Sequence, residues 1–201
     1  MIEIKNLSFS RPTKTIFTNF NASLQSNMLT LLTGLNGSGK TTLINLIGGS
    51  LSPHSGCITI NGLDIAHLSA REQSRLRSVA PQRRIFDLAF TVDEILSLLP
   101  AAQHSTHEAD VRDALELNEM ADLKVTELSL GQQQRVSVGL ALIQEASFYL
   151  LDEPLSAQDS AHHDRTLDLL AMVAKEHGVL VVAHNSDSFS SRFGARISVS
   201  G

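Results

Sequence analysis

The sequence predicts an α/β fold in which helices flank a mostly parallel sheet, with an antiparallel β-subdomain at the amino end and a helical insertion. Three patterns lead there. Two short runs near the amino end place apolar residues between polar ones. Farther on, short unbroken apolar runs are followed by stretches with helical spacing. Between them, residues 82–128 change texture, with helical-looking stretches separated by Pro100 and polar residues.

In chain order, Ile2, Ile4, Leu7 and Phe9, then Ile16, Phe17, Phe20 and Leu24, form two segments broken by Arg11-Pro12-Thr13, a pair of antiparallel strands joined by a turn. Residues 28–33 are short and almost continuously apolar, as a strand buried on both faces is, and they stop at Gly34. Leu43, Ile44, Leu46 and Ile47 follow at helical spacing, and Gly48-Gly49 ends that helix. Residues 57–60 with Asn61-Gly62 read as a strand and tight turn, and 78–81 as another strand. Helices are expected at 92–99, 107–117 and 119–123, and from Gln132 to about Glu145. A strand at 148–151, a long helix at 161–177 and a strand at 179–183 complete the alternation. The expectation is one domain, 1–201, containing a helical subdomain at about 83–145.

Composition narrows the function. Apolar residues make up 42% of the 201 and charged ones 18%, enough apolar material to offset the entropy of ordering the chain. Sixteen basic residues against 21 acidic ones give a net charge of −5, which argues against a nucleic-acid partner. Cys57 is the sole cysteine, so an internal disulfide or multi-thiolate metal site is excluded. No apolar run approaches the roughly 20 residues that cross a bilayer. A chain soluble by itself, meeting a membrane only through a partner, is expected. Of the eight histidines, the pairs His104/His107 and His162/His163 are expected to be surface polar residues rather than metal ligands.

Gly34-Leu35-Asn36-Gly37-Ser38-Gly39-Lys40-Thr41 fits G-x-x-x-x-G-K-[ST] between an expected strand and an expected helix. Glycines let successive N–H groups turn toward one anion, and the helix start adds unpaired amides and its positive dipole end. Lys40 would neutralise β- and γ-phosphates and the Thr41 hydroxyl would coordinate Mg²⁺. Asn36, Gly37, Ser38, Gly39 and Thr42 join them as candidate nucleotide contacts. Asp152-Glu153 ends an apolar strand and delivers two carboxylates to the carboxyl edge of a parallel sheet. Asp152 would hold Mg²⁺ through its water shell, and Glu153 would polarise an attacking water. His184 ends the next apolar strand, where an imidazole can meet a γ-phosphate. Leu128-Ser129-Leu130-Gly131-Gln132 precedes a helix and offers a hydroxyl and amides, either to an anion or simply as a helix cap.

In this order the motifs resemble the nucleotide-binding domain of an ABC transporter, a P-loop NTPase, over nearly the whole chain. Residues 34–41 correspond to Walker A, Gln82 to the Q-loop glutamine, 128–132 to the signature, 148–153 to Walker B with its glutamate, 156–159 to the D-loop and His184 to the switch histidine. The resemblance implies an ATPase that dimerises head to tail with itself or a paralogous ATPase, each ATP lying between Walker A of one copy and Ser129, Gly131 and Gln132 of the other. It implies that Gln82 contacts Mg²⁺ and links the site to the helical insertion, whose surface around residues 83–99 docks an integral membrane permease at the cytoplasmic face of the membrane. Pro81-Gln82-Arg83 followed by Phe90-Thr91-Val92 is similar to ATPases of metal or metal-chelate importers, which also imply a substrate-binding protein. Three positions depart from the family pattern. Leu130 stands in a glycine place of the signature, and Gln158 stands where the D-loop usually has leucine. Arg11 stands where an aromatic residue usually stacks on adenine, with Phe9 either as an alternative or as a core residue. A soluble ABC ATPase without a permease is the alternative function.

Overall fold

The computed structural model describes residues 1–99, 104–156, 158–183 and 190–199. Strands β1 (Ile2–Arg11) and β2 (Lys14–Leu24) pair antiparallel, as the alternation predicts, and β1 also pairs antiparallel with β4 (Ser55–Ile60), which turns back into the short β5 (Leu63–Asp64). A second sheet combines β3 (Met28–Thr33), β6 (Arg77–Ala80), β7 (Phe148–Asp152), β8 (Gly178–Val182) and β9 (Ala195–Ser198) in the order β6-β7-β8-β3-β9. Every pairing in it is parallel.

Side chains along a strand point alternately to opposite faces, and this sheet uses both. Phe148 and Leu150 of β7, with Leu180 and Val182 of β8, pack against β1, β2, β4 and helix α1 (Lys40–Ile47). Their neighbours Tyr149, Leu151, Val179 and Val181 pack on the other face against helices α3 (Val92–Ser97), α4 (Glu108–Ala114), α5 (Leu130–Ile143) and α6 (Ser160–Val173). Burial on both faces is why β3, β7 and β8 read as unbroken apolar runs.

The helical stretches differ from expectation at their ends. α5 starts at Leu130 rather than Gln132, because the Ser129 hydroxyl accepts from the Gln132 N–H (3.3 Å) and Gln132 Oε1 accepts from the Ser129 N–H (2.9 Å). α6 stops at Val173 rather than reaching 177, since Lys175 and Glu176 donate to carbonyls only three residues back. At 119–123 there is only a 3₁₀ turn, Asn118–Met120. Helix α2 (Ala70–Leu76), absent from the expectation, is set by a capping box between Ser69 and Glu72.

Glu116, in a left-handed conformation after α4 (φ 53°), gathers charges from two helices. Its carboxylate accepts from Arg135 of α5 and from Arg165 (2.5 Å) and His162 (2.9 Å) of α6. The His162 and Arg135 hydrogen bonds hold the Glu116 carboxyl at about 2, and the Glu116 bond raises His162. Neither histidine pair is the surface set expected. His162 belongs to this cluster, and the His104 ring lies between Glu108 (2.6 Å) and the Leu99 carbonyl (3.0 Å).

Candidate functional site

The loop between β3 and α1 is shaped by glycine. Gly37 and Gly39 take positive φ (74° and 108°), and a Cβ at Gly39 would lie 2.5 Å from Ile16 Cγ2 and 3.0 Å from Phe17 Cζ. Strand β2 thus presses on the loop where only glycine fits. Gly39→Ala is expected to cost about 1–3 kcal/mol of stability and to weaken nucleotide binding. A thermal melt with an ADP titration checks this, and an unchanged Tm would mean that β2 gives way freely.

Inside the loop, Lys40 is almost wholly buried (6% exposed), and its Nζ donates to the carbonyls of Gly34 (2.8 Å) and Leu35 (3.1 Å). An ammonium has three donors, so one remains for the cleft. Lys14 Nζ donates to the Gly37 carbonyl from outside (3.1 Å). The buried Ser38 Oγ has no hydrogen-bond partner among the described residues, a polar atom suited to a phosphate oxygen.

Lys14 and Lys40 border a cleft of ≈ 590 Å³, within the range of about 300–1,000 Å³ for small-molecule sites, whose lining does not include Ser38 or Asp152. Of the expected residues, Arg11, Asn36, Gly37, Gly39, Lys40, Thr41, Thr42, Gln82 and Glu153 line it. Arg11, Lys14 and Lys40 bring three cations to it. Arg11 Nη2 lies 3.5 Å from Thr42 Oγ1. Phe9, the alternative platform, is buried in the core and stacks on His54 at 5.2 Å, so it does not border the cleft. Lys14 was not anticipated. Its only signal is a basic residue in the turn after Arg11, whose position depends on the β1–β2 register.

The cleft's other side comes from the end of β7. Asp152 closes the strand, buried on the α1 side by its parity with Phe148 and Leu150. Glu153 follows in a left-handed conformation (φ 54°), unusual for a residue with a long side chain. Four bonds impose it: the Glu153 N–H donates to the Val182 carbonyl (3.0 Å), and its carbonyl accepts from the Ser156 N–H (3.1 Å), Ser156 Oγ (2.9 Å) and Gln134 Nε2 (3.2 Å). Its carboxylate accepts from Gln82 Nε2 at 2.9 Å, joining the first residues after β6 to the acidic strand end.

Ser129, Gly131 and Gln132 do not reach this cleft. They form the capped start of α5, and the exposed Leu130 joins Gln82, Gln134 and Glu153 around a neighbouring cavity of ≈ 560 Å³. His184 and Ala157 lie outside the described residues. The hydroxyl of Thr41, the carboxylate of Asp152 and the amide oxygen of Gln82 are hard oxygen donors, the set that Mg²⁺ takes.

A family model described as ABC transporter matches residues 17–156. The hemin import ATP-binding protein HmuV of Bordetella pertussis is 32% identical over 201 residues, spanning 92% of this chain and 77% of that protein. The protein of the same description from Rhizobium meliloti is 32% identical over 211 residues, spanning 98% and 80%. Among solved structures, an ATP-binding subunit of an ABC transporter matches with a TM-score of 0.88 at 22% identity, over 99% of this chain and 85% of that one, a likeness of fold. The dimeric structure of MJ0796, a bacterial ABC transporter cassette, matches with a TM-score of 0.82 at 25% identity, over 99% and 94%. The phosphate-loop geometry, the acidic strand end and these matches converge: the chain belongs to the ABC transporter family, as an ATP-binding domain.

Proposed function

We propose that the chain is an Mg²⁺-dependent ATPase, one ABC domain over 1–201 with a helical subdomain at about 83–145, which drives a separate membrane permease from the cytoplasmic face of the membrane. One observation carries this reading: the anchored Lys40 loop and the Gln82–Glu153 pair border the same cleft.

The loop amides, Lys40 and Ser38 bind the β- and γ-phosphates, while Arg11 lies against the base. Thr41, Asp152 and Gln82 would hold Mg²⁺, which supplies neutralisation of charge on the phosphate oxygens. The Glu153 carboxylate takes a proton from water as its oxygen bonds to the γ-phosphorus. The bond from that phosphorus to the ADP oxygen breaks, and ADP keeps the electron pair. His184 is proposed to donate a hydrogen bond to the γ-phosphate. The exposed start of α5, with Ser129, Gly131 and Gln132, faces the nucleotide of a second copy in a head-to-tail dimer. That arrangement accounts for its distance from the cleft of its own chain. A Mg²⁺-dependent phosphate-release assay tests the activity, and no turnover at saturating ATP would overturn it.

An apolar groove of ≈ 460 Å³ runs from Arg84 through Ile85, Leu88 and Leu98, three leucine or isoleucine side chains that are largely exposed. Such a patch next to Gln82 suits a permease helix, so permease movement and the nucleotide site share one segment. Leu98→Glu is expected to remove co-purification with the permease and leave the isolated domain's turnover and Tm nearly unchanged, because the side chain is 68% exposed. Undiminished co-purification would place docking elsewhere. The likeness to hemin import proteins supports a metal chelate as cargo; a substrate-binding protein that delivers it belongs to the same proposal, and the net charge of −5 is the ground for proposing no nucleic-acid partner.

A further inference from the structure

On the edge of the parallel sheet away from the phosphate loop, His107, Glu176 and His177 bring their ligand atoms within 4.8 Å of one another. The loop follows β3 at Thr33, whereas His177 precedes the first residue of β8, and the two strands run parallel from Met28↔Gly178 to Leu32↔Val182. A five-residue strand, roughly 16 Å at about 3.3 Å per residue, therefore separates this cluster from the nucleotide cleft.

The three side chains are held in complementary ways. His177 is buried, with its ring edge-on to Tyr149 (5.3 Å) and to His107 (5.6 Å). Its Nδ1 donates to the Ala146 carbonyl at 2.9 Å, which puts the proton on that nitrogen and leaves the Nε2 lone pair for a ligand role. His107 is 12% exposed, and its buried Nε2 has no hydrogen-bond partner among the described residues. The nearest carboxylate oxygen, Glu176 Oε2, lies at 3.6 Å, beyond hydrogen bonding but near the edge of about 3.3 Å for a tetrahedron with metal–ligand bonds of about 2.0 Å. The segment before His107 is fixed to the end of α5, as Ser105 donates from its N–H to the Ile143 carbonyl (2.7 Å) and from its hydroxyl to the Leu142 carbonyl (2.9 Å). Two imidazoles and one carboxylate are a donor set for zinc-class divalent transition metals rather than for Mg²⁺ or Ca²⁺.

We infer that His107, Glu176 and His177 form a binding site for a zinc-class divalent ion, distinct from the nucleotide site and linking the start of α4 to the core at the head of β8. Metal there ties the helical segment to the ATPase sheet through a bond set that folding alone does not supply. Glu176, 65% exposed on a flexible stem, closes the coordination, and a fourth position is left for water.

The test titrates Zn²⁺ into the nucleotide-free full chain by calorimetry, with Co²⁺ absorption reporting the ligand geometry. One equivalent is expected to bind and to raise Tm. His107→Gln and Glu176→Gln should each weaken binding by about tenfold or more. His104→Gln should leave it unchanged, because that ring is already engaged by Glu108 and Leu99. Should His107→Gln fail to fold, Glu176→Gln, an exposed and isosteric change, decides alone. Absence of Zn²⁺ binding by the wild type at micromolar concentrations, or binding indifferent to both changes, would overturn the site.

Discussion

Glu153→Gln is expected to cut steady-state phosphate release by about 10²- to 10⁴-fold, the range for losing a general base, while ATP still binds. The substitution keeps side-chain size, and an amide oxygen can still accept from Gln82 Nε2, which now reaches the carboxylate at 2.9 Å. The backbone bonds to Val182, Ser156 and Gln134 that hold the left-handed turn do not involve the carboxylate. What disappears is the capacity to take a proton from water, a contribution made in the chemical step. ATP should therefore accumulate in the closed head-to-tail dimer, visible as a doubled mass by size exclusion with light scattering. A kcat equal to wild type would show that another group takes the proton.

Lys40→Ala should act earlier, on binding. It deletes the charge facing the phosphates and also the two bonds from Nζ to the Gly34 and Leu35 carbonyls, so the loop loses an internal brace. Losing a charged hydrogen-bonding partner costs about 1.5–3 kcal/mol, which corresponds to a drop in ADP affinity of roughly 10- to 100-fold. A calorimetric ADP titration reads this directly, and a thermal melt separates it from unfolding. Unaltered affinity would mean that the amides and Ser38 suffice.

The residues that build the cleft differ in how legible they are from sequence. The phosphate loop and the Asp152-Glu153 strand end are local patterns, a glycine spacing and an apolar run closed by acids, and local patterns survive folding. β1 and β2 were readable because one face is buried and the other is not. Phe9 and Arg11 could not be separated by composition or by strand parity, since they lie two residues apart: the β1–β2 register shifts between Phe9 and Ser10, so that Phe9 stays in the core and Arg11 falls at the strand end beside Thr42. Lys14 depends on the turn register, and the Gln82–Glu153 bond joins residues far apart in the chain. The histidines show the same limit, since His107 meets His177 only after α4 and β8 have packed together. At α6, Ala174 and His177 keep the helical spacing of buried residues past Val173 although the backbone has left the helix, because that spacing records which residues are buried and not which carbonyls are bonded.

The Glu116 carboxylate has a mechanical meaning. Arg135 sits just past the first turn of the helix that Ser129 opens, and His162 and Arg165 sit near the start of the helix that Asp159 caps. One anion thus yokes the two helix heads, so a push delivered to either displaces both, and an opposing subunit would meet a stiff double prong rather than two independent fingers.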